Sequence, residues 1–300
     1  MQMGRPVGQT PGEVMGTISR ANYMISVAEE ALADVVVEQS DAFTRFIRKE
    51  ALGVILVIGA WNYPYLIAVN CVVPAILSGN AVILKQSNHT LLCAERFAEA
   101  FATAGLPDGV FQVLHMSHAV AGKVIRDPRT AFVNFTGSVN GGHSVVKFAS
   151  ERFIATGLEL GGKDPAYVRA DCAFDYTVGE LVDGSFFNSG QCCCAIERIY
   201  VHESIYDRFV EKFVEITKQY RLGNPLDKNT NLGPMVRTNA AEGVRKQIAD
   251  ASALIKSLLC LFINHALLSR AGRQEPRRPV HFCGQQGGHP LPCPPRPGRR

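Results

Sequence analysis

Short apolar runs and longer amphipathic segments take turns along this chain from residue 54 onward. Residues 54–58, 81–84, 110–114, 131–135 and 153–159 read as strands. Residues 64–77, 91–104, 119–126 and 142–150 read as helices. Pro64 opens the first of these helices, where a missing N–H costs nothing. Gly105 stops the second, with Pro107 just beyond. Strand–helix alternation at this spacing predicts βαβ units and a mostly parallel sheet. Crossovers of this kind are right-handed, which gives a doubly wound, Rossmann-like α/β sheet. Its ligands belong at the carboxyl ends of the strands.

Residues 17–33 predict a lead-in helix, and residues 35–49 a hairpin or edge strands. A second unit starts after Leu160. Within it, residues 204–222 form the clearest helix pattern, with Ser204 as cap and Asp207 completing a capping box. Tyr206, Phe209, Val210, Phe213, Thr217 and Tyr220 form its apolar face, and Gly223 closes it. Residues 240–255 predict a further helix. Beyond about residue 258 the character changes. Residues 270–300 hold seven Pro and seven Arg, too little apolar surface to order themselves. Such a segment reads either as a basic, proline-rich recognition tail or as a non-native end from an alternative splice or shifted frame.

Composition narrows the classes. Three hundred residues suit about two domains. An apolar fraction of 47% and a charged fraction of 19% are ordinary for a soluble α/β chain. The net charge of +4 conceals an excess of +6 in residues 270–300, leaving 24 basic against 26 acidic residues elsewhere. The folded part is near neutral, so no nucleic-acid partner is expected. Nine cysteines lack framework spacing and follow no secretory leader, which points to reduced thiols and a cytoplasmic setting. No apolar stretch is long enough to span a bilayer. No metal is expected at the three adjacent cysteines, because neighbouring side chains should diverge along the backbone.

The candidate chemistry lies in local motifs. Residues 190–195 read Gly-Gln-Cys-Cys-Cys-Ala. Glu159, read as buried, ends a strand before two glycines, and Asn62 follows the strand 54–58. A thiol, a carboxylate and an amide are the groups that oxidise an aldehyde through a thioester. Taken singly, each has a plainer reading: a packed thiol, a surface carboxylate, a turn-stabilising Asn. The turn Phe135-Thr136-Gly137-Ser138, with Gly142 in the following helix, suits close approach to a phosphate or a simple tight turn. Lys85, at the end of a strand, suits a nucleotide contact or an ordinary surface position.

Taken together, these motifs resemble the aldehyde dehydrogenase superfamily. The matching pieces are Gly59-Ala-Trp-Asn-Tyr-Pro64, Gly79-Asn-Ala-Val-Ile-Leu-Lys85, Phe135-Thr-Gly-Ser138, Glu159-Leu-Gly-Gly-Lys163, Phe187-Asn-Ser-Gly-Gln-Cys-Cys-Cys194 and Leu232-Gly-Pro-Met235. The resemblance covers roughly residues 3–255. It implies Cys193 as nucleophile, Asn62 with the Cys193 N–H as oxyanion donors, and Glu159 as general base. It also implies NAD or NADP as cofactor, with Trp61, Lys85, Asn88, Gly137, Ser138, Gly142 and Gly161 around it. Tyr63, Tyr65, Ile67, Phe186 and Phe187 would line a substrate funnel. Residues 1–159 would form a cofactor-binding domain with an oligomerisation hairpin near 35–49, residues 160–257 a partial catalytic domain, and residues 258–300 a disordered tail.

Departures from the family pattern set further expectations. Members are nearer five hundred residues and are homo-oligomeric. The motif whose glutamate holds the nicotinamide ribose, and the C-terminal dimerisation strand, have no counterpart here. The expected substrate is a small aldehyde. Rival readings are an inactive fragment of such an enzyme and a binding module acting through the tail. Asn88 stands where NAD-preferring members often carry Glu, so NADP would be repelled less.

Overall fold

In the computed structural model, which describes residues 2–269, the chain enters through α1 (Thr10–Leu32). This helix starts earlier than the expected residue 17, because Pro11 supplies a preset φ in the first turn. The hairpin follows as β1 (Val35–Gln39) antiparallel to β2 (Thr44–Ile47), with every residue of both strands exposed.

The central sheet is built from β3 (Val54–Ile58), β4 (Ala81–Lys85), β5 (Phe111–Val113), β6 (Thr130–Thr136) and β7 (Thr156–Glu159). Its order is β5-β4-β3-β6-β7, and all neighbours are parallel. The crossovers are α2 (Pro64–Leu77), α3 (Leu91–Thr103), α4 (His118–Arg126) and α5 (Val139–Ser150). The chain winds outward from β3 to β5, then returns to the other side of β3 with β6. The point where the direction reverses opens a crevice at the strand ends.

Alternation along β3 supplies both cores. Ile55 and Val57 face α2 and α3 with Val82, Leu84, Ala68 and Val72. Leu56 and Ile58 face α4 and α5 with Val133, Ile125, Val145 and Ala149. Leu56 and Leu84 are fully buried, and burying such a side chain contributes roughly 1.5–3 kcal/mol.

A second, smaller sheet pairs β8 (Asp164–Val168) with β9 (Ile196–Val201) in parallel, joined through α6 (Phe174–Phe186). Val168, Val178, Val182 and Phe209 form its core. The helix expected over 204–222 is α7 (Tyr206–Thr217). The expected capping box is absent: a 3-10 turn over Glu203–Ile205 comes first, and the His202 ring accepts the Ser204 N–H instead. Tyr206 and Val210 stay exposed, so the buried face is narrower than its apolar pattern.

The chain divides into two compact units, Met1–Ala241 and Glu242–Arg300. The last helix, α8, runs over Thr238–Ser269. It therefore passes the expected boundary near residue 258, because no Gly or Pro lies between that residue and Gly272. The proline- and arginine-rich stretch 270–300 lies outside the described residues. Among the described residues, no helix is long and apolar enough to cross a membrane.

Candidate active site

A cleft of about 680 Å³ opens at the carboxyl ends of β3, β4 and β6. Trp61, Lys85, Asn88, Gly137 and Ser138 all line it. Lys85 ends β4 with its side chain buried, and burial lowers its pKa from the ordinary lysine value. Its ammonium donates to the Gln86 carbonyl at 3.3 Å, one of three available donors. Ser138 is the N-cap of α5 and its Oγ accepts the Gly141 N–H at 3.2 Å. The first turn of α5 thus presents amide donors and its positive dipole end to the cleft. Among the described residues that line the cleft, none is Asp or Glu.

Two expected contributors lie apart from this lining. Gly142 is buried on the α5 face that packs against Leu160. Gly161 is exposed on the β7–β8 connection. Helix α5 begins at Val139 rather than residue 142, since the Ser138 cap starts the helix three residues earlier.

The cysteine run follows a sharp turn. Asn188, Ser189 and Gly190 have φ of 54°, 61° and 69°, three successive left-handed residues. Such backbone is costly for Ser and is held only by its surroundings. Ser189 Oγ donates to Gly233 O at 2.6 Å, and Gln191 Oε1 accepts the Val236 N–H at 2.9 Å. The three thiol sulfurs of Cys192, Cys193 and Cys194 lie within 4.8 Å of one another, contrary to the divergence expected of adjacent residues. The turn curls the backbone enough to converge them. Cys192 and Cys194 approach to 3.3 Å, and this contact, with burial, pushes the Cys194 thiol up to about 11. Cys193 is exposed. Burial, then contact with the Cys192 thiol, raises the Tyr63 hydroxyl well above its usual range, so it remains protonated.

Asn62 meets this loop directly: its Nδ2 donates to Gln191 O at 3.2 Å. An amide nitrogen has two hydrogens, so one donor is spent on the loop and one is not. Glu159 is exposed at the end of β7, not buried as its motif suggests, because β7 is the sheet edge. Its carbonyl accepts the Gly137 N–H at 3.0 Å, tying it to the turn before α5. Three residues on, a Cβ at Gly162 would stand 2.6 Å from the Cys193 carbonyl, so only glycine allows this approach. The segment from Glu159 to Gly162 therefore bridges the cleft and the cysteine loop. Phe186 and Tyr65 depart from the funnel reading. Phe186 packs on Phe213 and Tyr220, and Tyr65 on Phe97.

A buried network that local motifs do not reveal holds these pieces together. Arg5 is 5% exposed. Its guanidinium donates to Asn62 O at 2.5 Å and Asn188 Oδ1 at 3.3 Å, pairs with Glu13, and stacks over the Tyr63 ring at 4.4 Å. Glu13 Oε1 in turn accepts the Tyr65 and Leu66 N–H groups at the start of α2. Asn188 Nδ2 donates to Gln191 O at 3.1 Å. Removing Arg5 leaves Glu13 a buried carboxylate without its counter-charge and Asn188 Oδ1 without its donor. Arg5→Ala is expected to destabilise the fold by about 3–5 kcal/mol, the usual cost of breaking a buried ion pair. Urea unfolding checks this, and the double variant Arg5→Met/Glu13→Gln should lose less than Arg5→Ala.

Comparison with known proteins finds aldehyde dehydrogenases. The model of the aldehyde dehydrogenase family matches residues 1–262, further than the sequence resemblance reached. An NADP(+) succinate-semialdehyde dehydrogenase of Mycobacterium tuberculosis is 36% identical over 262 residues, which cover 87% of this chain and 57% of the relative. An NAD-dependent aldehyde dehydrogenase structure from Sinorhizobium meliloti superposes with a TM-score of 0.79 at 35% identity, covering 83% of this chain and 50% of that one. The NADP+ complex of succinic semialdehyde dehydrogenase from Streptococcus pyogenes gives a TM-score of 0.78 at 31% identity, covering 83% and 54%. The chain thus spans a little over half the length of the curated relatives it matches.

Proposed function

The chain belongs to the aldehyde dehydrogenase family, and on that premise we propose that it serves NAD(P)-dependent oxidation of an aldehyde to a carboxylic acid through a thioester on Cys193. The observation that carries this reading is the convergence at one sheet end. A cleft with no carboxylate among its described lining residues sits there beside a cysteine loop that Asn62 and Gly162 both touch.

The cleft suits a dinucleotide. The α5 N-terminus behind Ser138 offers amide donors to a pyrophosphate, and Lys85 offers a cation to a ribose. When bound, NAD(P) supplies the hydride acceptor, which no side chain can be. The Cys193 thiolate attacks the carbonyl carbon, and the oxygen becomes an oxyanion. The remaining Asn62 amide hydrogen and the Cys193 N–H hold that charge. Collapse of the oxyanion expels hydride and leaves an acyl group on Cys193 Sγ. Glu159 takes a proton from water, the resulting hydroxide attacks the thioester, and the acid leaves with the thiolate restored. The raised Tyr63 hydroxyl and Cys194 thiol stay protonated through these steps and do not compete as bases.

Subunit assembly through the exposed β1–β2 hairpin fits the same reading, since Val36, Phe46 and Ile47 point outward there. A cytoplasmic setting suits six free cysteines among the described residues. The division at residue 159 fits the two separate cores, one under the central sheet and one around Val178 and Phe209.

The test is NAD(P)H formation by the purified chain over a panel of aldehydes. Asn62→Ala should lower that rate by roughly 10²–10³, as for loss of one oxyanion donor. A variant with unchanged turnover would remove Asn62 from the reaction. A wild-type chain that reduces neither cofactor with any aldehyde would reject the activity.

A further inference from the structure

The cleft has a second cation at its mouth, Arg237, to which the reaction above gives no role. Arg237 lies just before α8 and lines the cleft together with Ser87, Asn88 and His89 of the β4–α3 connection. Its Nε donates to His89 Nε2 at 3.1 Å, which fixes the guanidinium beside Asn88. Arg237 is exposed and belongs to no ion pair among the described residues. One nitrogen of its fork is held by the ring, and the Nη donors remain for a ligand.

The chemistry of this mouth is one-sided. Lys85 and Arg237 supply two cations, Ser87 and Asn88 supply neutral polar groups, and among the described residues that line it none carries a carboxylate. A ribose diol is best held by a carboxylate, which accepts both hydroxyl protons. A phosphate monoester is best held by a guanidinium, which offers paired donors in matching geometry. From this juxtaposition we infer that Arg237, oriented by His89, binds the 2′-phosphate of NADP and sets the chain's preference for NADP over NAD. This assignment rests on the cleft being the dinucleotide site. It goes beyond the lack of repulsion at Asn88, because it names an attracting group.

Calorimetric titration of the purified chain with NAD, NADP, ADP-ribose and 2′-phospho-ADP-ribose tests it without turnover. The wild type should bind each 2′-phosphorylated ligand at least about tenfold more tightly than its partner lacking the phosphate, the scale of one charge-assisted contact. Arg237→Ala should erase that difference and leave NAD and ADP-ribose within about threefold of wild type, which also certifies that the variant is folded. Asn88→Glu should weaken the phosphorylated ligands selectively, since it sets a like charge beside the phosphate. Equal weakening of all four ligands by Arg237→Ala would overturn the assignment, placing Arg237 on the pyrophosphate. Equal binding of NAD and NADP by the wild type would overturn it as well. Binding of none of the four would overturn the dinucleotide reading of the cleft and this assignment with it.

Discussion

Cys193→Ser is expected to lower aldehyde-dependent NAD(P)H formation by at least about 10⁴-fold, the scale on which removing a covalent nucleophile acts. The reason is chemical. A serine hydroxyl at neutral pH holds its proton far more firmly than a thiol, and among the described residues no His, Asp or Glu is hydrogen-bonded to residue 193 to take it. The neighbouring thiols cannot substitute. Cys194 is pushed up to about 11 and shares its contact with Cys192, which itself lies half-buried beside Tyr63. Iodoacetamide labelling followed by peptide mapping offers an independent check. Exposed Cys193 should be alkylated ahead of both neighbours, and preferential labelling of Cys192 would move the nucleophile there.

Glu159→Gln is expected to slow steady-state turnover by roughly 10²–10⁴, the usual contribution of a general base. It should also separate the two halves of the reaction. Attack by the thiolate and loss of hydride need no carboxylate, so rapid mixing should still show a burst of one NAD(P)H per site. Only release of the acyl group should be slow. The exposed position of Glu159 at the sheet edge lets water reach it, and its carbonyl is anchored to Gly137. The carboxylate also adds, after burial, to the raised pKa of Cys71 in α2, which is pushed up to about 11. A burst that vanishes with the steady-state rate would mean that Glu159 acts before the thioester forms, against its assignment to deacylation.

The central sheet is legible in the sequence because its signals are local. The run Val54–Ile58 is short, β-branched and followed by Gly59, which favours a buried strand, and Pro64 fixes where α2 begins. The second sheet is harder to read. Strands β8 and β9 are half exposed, and α6 contains Gly179 and Gly184, so neither period stands out. The misread cap of α7 has a similar cause: Ser204 fits the motif, but the His202 ring competes for the same N–H. At the site, the thiols, Asn62 and Lys85 sit in compact motifs, so residue type and spacing single them out. The network of Arg5, Glu13 and Asn188 does not, because Arg5 and Glu13 belong to no motif and reach Asn188, more than 170 residues on, only by tertiary contact. The pairing of Arg237 with His89 is invisible for the same reason.

The strand order also sets a timetable. Strand β3 is the middle of the sheet, yet Val54 pairs with Thr130 on one side and Ala81 on the other. During synthesis β4 emerges soon after β3, whereas β6 follows only after α3, β5 and α4 have left the ribosome. Through that interval Leu56 and Ile58 have no cover, since their core is supplied by α4, β6 and α5. Parallel pairings between distant segments are slow to form, and apolar faces waiting for them associate with one another. The time β3 waits for β6 is therefore expected to bear on the yield of this protein in a cell. Slower translation at low temperature, or a chaperone that shields the open face, acts on that interval, whereas tightening the finished core does not.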